Sequence, residues 1–500
     1  MQVDRQRLTH ALSRRWPEAL RLSPLPSAGQ VRLELDSRRL TAGDIFLALP
    51  GVNSDGRDFT GAALAAKVSA VLYHLDDGEL PPTDPRVIGL PGLKAQLGAL
   101  GSELFEVPES LQLIGVTGTN GKSSVTHYIA ALSEALGRPC GVVGTLGSGR
   151  IGSLADSGLT TPGPLALQAA LGGLAEQGVT RMAMEVSSHA LDQGRLAGCR
   201  LTAAVFTNLS RDHLDYHPSM AAYAAAKAQL FKRDELELAV VNADDPLARL
   251  MLAGIAERVR VLACGQDEAT TLRVVEWLPH ASGQRALIAT PEGERVLALG
   301  LMGRFNLDNV LLAIATLYGL GDDLDKLLAA AESLAPVPGR MQRLTASSGP
   351  SVVIDYAHTP DALDNALQAL RAHLGESATL WCLFGCGGDR DPGKRPLMGQ
   401  VAEARAGRVV ITDDNPRSED PAAIRVAIRA GLDTPGADSV WEIDGRREAI
   451  RRTLAAAEPD DIVLIAGKGH ETYQEIAGVR HDFSDLAEAD AALARRGDRS

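Results

Sequence analysis

Leu113-Ile-Gly-Val-Thr-Gly-Thr-Asn-Gly-Lys-Ser-Ser124 reads as the end of an apolar strand, a glycine-rich turn and the start of a helix. Backbone N–H groups of such a turn point inward and cradle phosphate oxygens, and the following helix N-terminus adds a favourable dipole. Lys122 stands where it reaches β- and γ-phosphates, and the Ser123 hydroxyl where it binds Mg²⁺. Gly115, Thr117, Gly118, Thr119, Asn120, Gly121 and Ser124 complete the expected cradle for ATP and Mg²⁺. A strict G-x-x-x-x-G-K-[ST] loop needs glycine at 116, where this chain has Val116. That departure disfavours the common GTPase and transporter classes. The chain also lacks the Asn-Lys-x-Asp signature of a guanine-nucleotide switch. The plain alternative is a glycine turn without a ligand, but strand, Lys-Ser pair and helix stand in register.

Outward from this loop, apolar strand candidates alternate with Ala-rich helices at 140–143, 181–186, 203–207 and 239–242, the pattern of a parallel, helix-covered sheet. Short β-type runs at 271–278, 285–290 and 295–298 predict an antiparallel patch in the same region. Strand candidates at 31–35, 45–49, 70–73 and 87–90 precede Pro108. Beyond Pro336-Val-Pro-Gly339, strands at 352–356, 380–384, 408–412 and 462–466 alternate with helices again, predicting a doubly wound unit. The chain is therefore expected to be α/β with three domains, at 1–107, 108–335 and 336–500. Its 500 residues are too many for one ordinary core.

A net charge of −13 argues against a nucleic-acid binder, which needs a basic face. No apolar run approaches the ~18 residues of a membrane span, and the charged N-terminus lacks the apolar core of a secretory signal. The five cysteines are scattered and do not complete a zinc site. A cytoplasmic protein with reduced thiols, acting as a monomer, is the expectation.

Two groups of polar residues stand out. Glu185 ends the apolar strand candidate 182–186, and Thr207–His217, polar except for Leu209 and Leu214, follows another. Glu185 and His213 are candidate ligands for Mg²⁺ at the phosphates. Lys227, in the otherwise apolar Tyr223–Phe231, reads from pattern alone as a solvated helix lysine. The second group comprises four loops after C-terminal strands: Asp355–Pro360, Phe384–Asp391, Thr412–Arg417 and Ala466–Glu471. Each is acceptable turn chemistry. Together they carry Arg390, Arg417, Asp414 and Glu471, two cations for carboxylates and two anions for an ammonium, which suits a zwitterionic amino acid.

These motifs closely resemble the Mur ligases of peptidoglycan synthesis, over nearly the whole chain. The resemblance rests on Leu35–Arg38 and Gly51–Arg57, on Gly118–Lys122, Thr160–Pro162, Glu185–His189 and Asn208–His217, and on Tyr356–Pro360, Asp414–Arg417 and Gly467–Glu471. The Thr-Asn-Gly-Lys loop alone marks a superfamily that includes folylpolyglutamate synthases. Asp414-Asn-Pro-Arg417 with Glu471 resembles the branch that takes meso-2,6-diaminopimelate.

The resemblance implies ATP-dependent addition of meso-diaminopimelate to UDP-N-acetylmuramoyl-L-alanyl-D-glutamate through an acyl phosphate. The alternative is a lysine-adding or folylpolyglutamate-type ligase. It implies that Lys227 is carbamylated into a carboxylate-like metal ligand, overturning the bland reading, with Ser123, Glu185 and His213 also near Mg²⁺. Lys122, Lys227, Glu185 and His213 form the implied catalytic set, and Asn306 and Arg340 further ATP contacts. Leu35, Ser37, Val52, Asn53 and Ser54 would contact the uracil nucleotide. Thr160, Thr161, Ser188, Gln193 and Arg195 would hold the muramoyl-peptide. Arg390, Asp414, Asn415, Arg417, Gly467 and Glu471 would hold diaminopimelate. Leu159 departs from relatives that carry asparagine there.

Overall fold

A computed structural model describes the chain except residues 23, 24, 26–28, 52, 53, 157, 214, 215, 345–348 and 498–500. Val52 and Asn53 therefore lie outside the described residues. The chain divides into two compact units, Met1–Lys122 with Ser133–Val240 and Asp245–Val261, and Ser123–Leu132 with Val241–Asp244 and Leu262–Ser500.

In the first unit, strands Gln2–Asp4, Gln30–Glu34, Ile45–Ala48, Ala70–Leu75 and Val87–Pro91 make a five-stranded sheet in chain order, parallel after its first pair. Ile45 and Leu47 enter one apolar cluster while Phe46 and Ala48 enter another. Successive side chains of a strand point to opposite faces, so both faces are covered. The same unit holds the parallel strands Leu201–Phe206, Gln112–Thr117, Arg181–Glu185 and Cys140–Gly144, side by side in that order. Gln112–Thr117 is interior to that row and buried from Leu113 onward, and the helix Lys122–Ala135 follows its loop. Its C-terminal end lies beside those of both neighbours, since Val116 pairs with Glu185 and Thr117 with Phe206.

The second unit contains the expected antiparallel patch, Leu272–His280, Gly283–Thr290 and Gly293–Leu299. It also contains a six-stranded sheet in the order Gln342–Leu344, Ser351–Asp355, Ile462–Ala466, Leu380–Phe384, Arg408–Ile411, Val440–Glu442. All pairs but the first are parallel. Cys382 and Phe384 pack in one cluster, Trp381 and Leu383 in the other, so helices cover both faces. Asp355 pairs with Ala466, Leu383 with Ile465 and Phe384 with Ile411. Parallel register thus sends the four polar loops off one edge, where doubly wound sheets bind ligands. The short hairpin Tyr473–Ile476/Val479–Asp482, not expected from the sequence, follows the last of them.

All five cysteines are buried free thiols. Burial pushes the Cys386 thiol up to about 12, so it is unreactive. Among the described residues no helix is long and apolar enough to cross a membrane.

Candidate active site

The phosphate loop is fastened to the segment after Leu201–Phe206. Thr119 N donates to Asn208 O (2.8 Å) and Asn120 N to Asn208 Oδ1 (2.9 Å). Asn120 O accepts from Thr207 Oγ1 (2.6 Å) and Asn208 Nδ2 (3.1 Å). Gly118 has φ +151°, and a Cβ there would lie 1.8 Å from Thr207 Oγ1. Only glycine lets the two segments approach this closely. Gly115 and Thr117 belong to the strand, where Thr117 Oγ1 donates to Val186 O (2.9 Å), so their side of the loop is internal scaffolding. Val116 is likewise fully buried in the strand, and the tight turn begins after it. Gly121 has φ +85°, and Ser123 and Ser124 lie buried in the first turn of the following helix.

Two lysines converge on one carbonyl. Gly118 O accepts from Lys122 Nζ (3.0 Å) and from Lys227 Nζ (2.8 Å). Lys122 also donates to Thr119 O at 2.9 Å. Lys227, 1% exposed, has its ammonium 4.5 Å from the Tyr223 ring. Burial, then the neighbouring Lys122 charge, pull its pKa well below the usual lysine range, opposed weakly by Asp212. The sequence pattern alone places this lysine in solvent; the structure places it in the interior. The helix Met220–Ala228 turns its Lys227 face inward because Tyr223, Ala224 and Ala228 are buried with it.

Glu185 is buried at the end of its strand. Its Oε1 accepts from Thr145 N (2.9 Å) and its Oε2 from Thr145 Oγ1 (3.2 Å). A Cβ on Gly144 would lie 2.3 Å from Glu185 Oε1, so glycine makes the carboxylate's berth. Thr145 Oγ1 meets Thr160 Oγ1 at 3.1 Å, and Thr161 Oγ1 donates to Glu185 O at 2.8 Å. Arg195 Nη1 holds Thr161 O (2.8 Å), while its Nε and Nη2 both reach Gln193 Oε1 (3.0 and 2.7 Å). Ser188 Oγ meets His217 Nε2 at 2.9 Å. Thr160, Thr161, Gln193 and Arg195 therefore lie in one hydrogen-bonded strip beside Glu185, while Ser188 is bonded to His217. Leu159, next to it, is half exposed and brings no amide.

His213 has φ +52° and places Nε2 3.5 Å from Asp212 Oδ2. Its ring lies 4.9 Å from that of His189 and 6.0 Å from that of Tyr223. His213 and Lys227 thus both lie near the Tyr223 ring. His189, Tyr216 and His217 extend this ring cluster. These three lie in stretches the sequence singles out but without a role of their own, while Thr145 lies in none of them. Among the described residues no three His, Cys, Asp or Glu side chains are grouped to hold a metal.

In the second unit, Asp414, Asn415 and Glu471 are brought together from loops far apart in sequence. Asn415 Nδ2 donates to Glu471 Oε2 (2.9 Å), and Asn415 Oδ1 accepts from Lys468 Nζ (3.1 Å) and Glu475 N (2.9 Å). The Asn415 side chain is thereby engaged within the protein. Gly467 has φ +115°, and a Cβ there would sit 2.6 Å from Asp414 Oδ2. Arg417, at φ +52°, donates from Nη1 to Gly388 O (2.7 Å), joining the 384–391 and 412–417 loops. Its backbone is bracketed by the hairpin through Glu475 O (3.0 Å) and Ala477 N (2.7 Å). Arg390 is exposed, its Nη1 on Asp389 O. Beneath these loops, fully buried Arg446 binds Asp485 through two 2.7 Å bonds and donates to Ala466 O (2.9 Å) and Asp413 O (3.3 Å). In sequence Arg446 is one of four arginines in Arg446–Arg452, and the run gives no hint of burial.

Asn306 is also internal: Oδ1 accepts from Tyr128 OH (3.1 Å) and Nδ2 donates to Met302 O (2.8 Å). Arg340 stacks 4.9 Å over Tyr356. Leu35 is exposed, Ser37 half-buried in a short turn capped by Asp36, and Ser54 O closes on Gly51 N at 3.1 Å.

Three family models match successive stretches: the Mur ligase family catalytic domain at 32–100, the Mur ligase middle domain at 116–317 and the Mur ligase glutamate ligase domain at 339–469. A UDP-N-acetylmuramoyl-L-alanyl-D-glutamate–2,6-diaminopimelate ligase of Pseudomonas aeruginosa is 50% identical over 92% of this chain and 94% of its own. The chain belongs to the Mur ligase family. Its architecture and activity class follow: an α/β ATP-dependent ligase of peptidoglycan precursor synthesis. A protein of the same printed name from Chromobacterium violaceum is 44% identical over 94% of the chain and 95% of its own. A solved structure with that name superposes with TM-score 0.69 at 38% identity, covering 93% of this chain and 95% of that one. The MurF ligase of Thermotoga maritima, solved with ADP, shares the fold (TM-score 0.64) at 17% identity, covering 94% of this chain and 98% of its own.

Proposed function

We propose that the protein adds meso-2,6-diaminopimelate to UDP-N-acetylmuramoyl-L-alanyl-D-glutamate, using ATP and Mg²⁺, as a cytoplasmic monomer with domains at 1–107, 108–335 and 336–500. The observation that carries this reading is the one-edge cluster of Asp414, Arg417 and Glu471 in a chain half identical to ligases named for that substrate. A folylpolyglutamate synthase of Mycobacterium tuberculosis is 22% identical to this chain, a likeness of fold alone.

The phosphate loop binds the ATP phosphates through backbone N–H groups of Thr119–Ser123, and Lys122 moves from its own loop carbonyls onto the β- and γ-phosphates. A carboxylate oxygen of the substrate's D-glutamate attacks the γ-phosphorus, the bond to the β,γ-bridging oxygen breaks, and ADP leaves. The resulting acyl phosphate has a far better leaving group than hydroxide. The neutral amine of diaminopimelate attacks the acyl carbon, the tetrahedral adduct expels phosphate, and the amine proton passes to solvent. Thr160, Thr161, Ser188, Gln193 and Arg195 hold the peptide arm. Arg417 binds a carboxylate of the incoming amino acid, and Asp414 and Glu471 its ammonium.

The donors present suit a hard cation once Lys227 is modified. A lysine held neutral by burial attacks CO₂ through nitrogen; an N–C bond forms, a proton leaves, and a carbamate oxygen pair replaces the amine. Ser123, Glu185, His213 and this carbamate would hold Mg²⁺, which supplies charge neutralisation to the moving phosphoryl group.

The test is incubation with ATP, the UDP-muramoyl-dipeptide and separate amino acids, with products read by mass. Diaminopimelate addition is expected. Efficient lysine addition without diaminopimelate addition would sink the reading.

A further inference from the structure

Lys468 has no part in the scheme above. We propose that it is a positioning and specificity residue, holding Glu471 as an oriented anion and bringing the amino-acid pocket to charge balance, so that a zwitterionic end is preferred to a bare cation. This rests on the reading that the 412–417 and 466–471 loops bind diaminopimelate.

Lys468 follows the all-apolar strand Ile462–Ala466 and Gly467, and its side chain is 0% exposed. Nζ donates to Glu471 Oε2 (2.9 Å) and Asn415 Oδ1 (3.1 Å) and lies 5.4 Å from the Tyr473 ring centroid. Glu471 Oε2 also accepts Asn415 Nδ2 at 2.9 Å. Both donors therefore take one oxygen, and Oε1 carries neither bond. The Glu471 side chain is 18% exposed, so of the pair only the carboxylate reaches solvent. A buried ammonium and a buried amide on one oxygen hold the carboxylate in one orientation.

Charge decides the second role. Asp413 is paired with Arg425, and Arg390 is exposed. The remaining charged side chains of these two loops, all buried or half-buried, are Asp414, Arg417, Lys468 and Glu471, two of each sign. The distal centre of diaminopimelate carries an ammonium and a carboxylate, and a neutral pocket accepts it without excess charge. The distal end of lysine carries only an ammonium. Without Lys468 these two loops carry one surplus negative charge, which attracts the lysine ammonium and repels the extra carboxylate.

The experiment uses the full-length protein, with K468M assayed for kcat and KM toward each substrate and for diaminopimelate against lysine. The diaminopimelate KM is expected to rise about 10–100-fold and the preference over lysine to fall about tenfold or more, with ATP and UDP-substrate KM values within about twofold. Because part of the lysine's effect runs through the carboxylate, the K468M and E471Q effects on diaminopimelate KM should be clearly less than additive in K468M/E471Q. K468Q keeps a donor without the charge and serves where the methionine variant does not fold: it should recover part of the KM while preference stays low. An unchanged diaminopimelate/lysine ratio, a parallel rise of all three KM values, or additive effects in the double variant would overturn the proposal. If the wild-type protein adds no diaminopimelate, the functional reading itself fails first, and the two failures are told apart.

Discussion

Lys227 and Lys468 are equally buried, at 1% and 0% exposure, yet their surroundings prepare opposite states. Lys227 meets a carbonyl it shares with another lysine and the face of a tyrosine. Lys468 meets a carboxylate and an amide oxygen. Burial penalises both ammonium groups; only the second has a bonded anion to offset it. The first environment favours a neutral, nucleophilic amine, while the second ties its side chain to a carboxylate. Depth alone therefore says little about a lysine's chemistry, and the partner decides.

Four measurements press on this contrast. The largest expected effect is that of Lys227→Ala, which should lower kcat by at least about 100-fold, because a charge-stabilising group at the transferring phosphate is lost. Short carboxylic acids added to the assay should restore part of the activity, and full activity in the unsupplemented variant would remove the carbamate role. Next is the ion pair that resembles Lys468–Glu471 but is wholly enclosed. Asp485→Asn strands the Arg446 charge and should cost about 3–5 kcal/mol by denaturant unfolding. A loss near zero would mean that Arg446 finds another partner.

Arg417→Ala should raise the diaminopimelate KM about 10–100-fold with little change for ATP, since a bound carboxylate loses a charged donor. An unchanged KM would transfer that role to Arg390. The smallest effect concerns pH. The folded pKa of Lys227 lies below its unfolded value, so between the two the unfolded chain binds more protons and stability rises with pH. In CO₂-free buffer the wild-type unfolding free energy should climb across that window. Lys227→Met should flatten the climb and gain about 1 kcal/mol near neutrality. An identical pH slope in the variant would show that Lys227 is not the titrating group.

Much of the fold was legible before any coordinates. The strand-and-helix alternation, the antiparallel runs at 271–298 and the four C-terminal loops each correspond to observed elements, because apolar periodicity and glycine turns are local signals. The short hairpin Tyr473–Ile476/Val479–Asp482 was not legible, since both strands are short and polar in sequence, with no alternating apolar face. Within the site, the motif stretches announced themselves, but Thr145 did not, and His189, Tyr216 and Lys468 stood inside quoted motifs without a role assigned to them. Their neighbours in space are distant in sequence: Thr145 and Glu185 are 40 residues apart, Lys468 and Asn415 53.

By itself the sequence determined the phosphate loop, the α/β class and the loops that carry Arg417 and Glu471, because each is written in consecutive residues. Tertiary structure alone decided which lysine is paired. The charge state of a buried amine depends on groups delivered from other strands and loops, Gly118 from 109 residues away for Lys227, Asn415 from 53 away for Lys468.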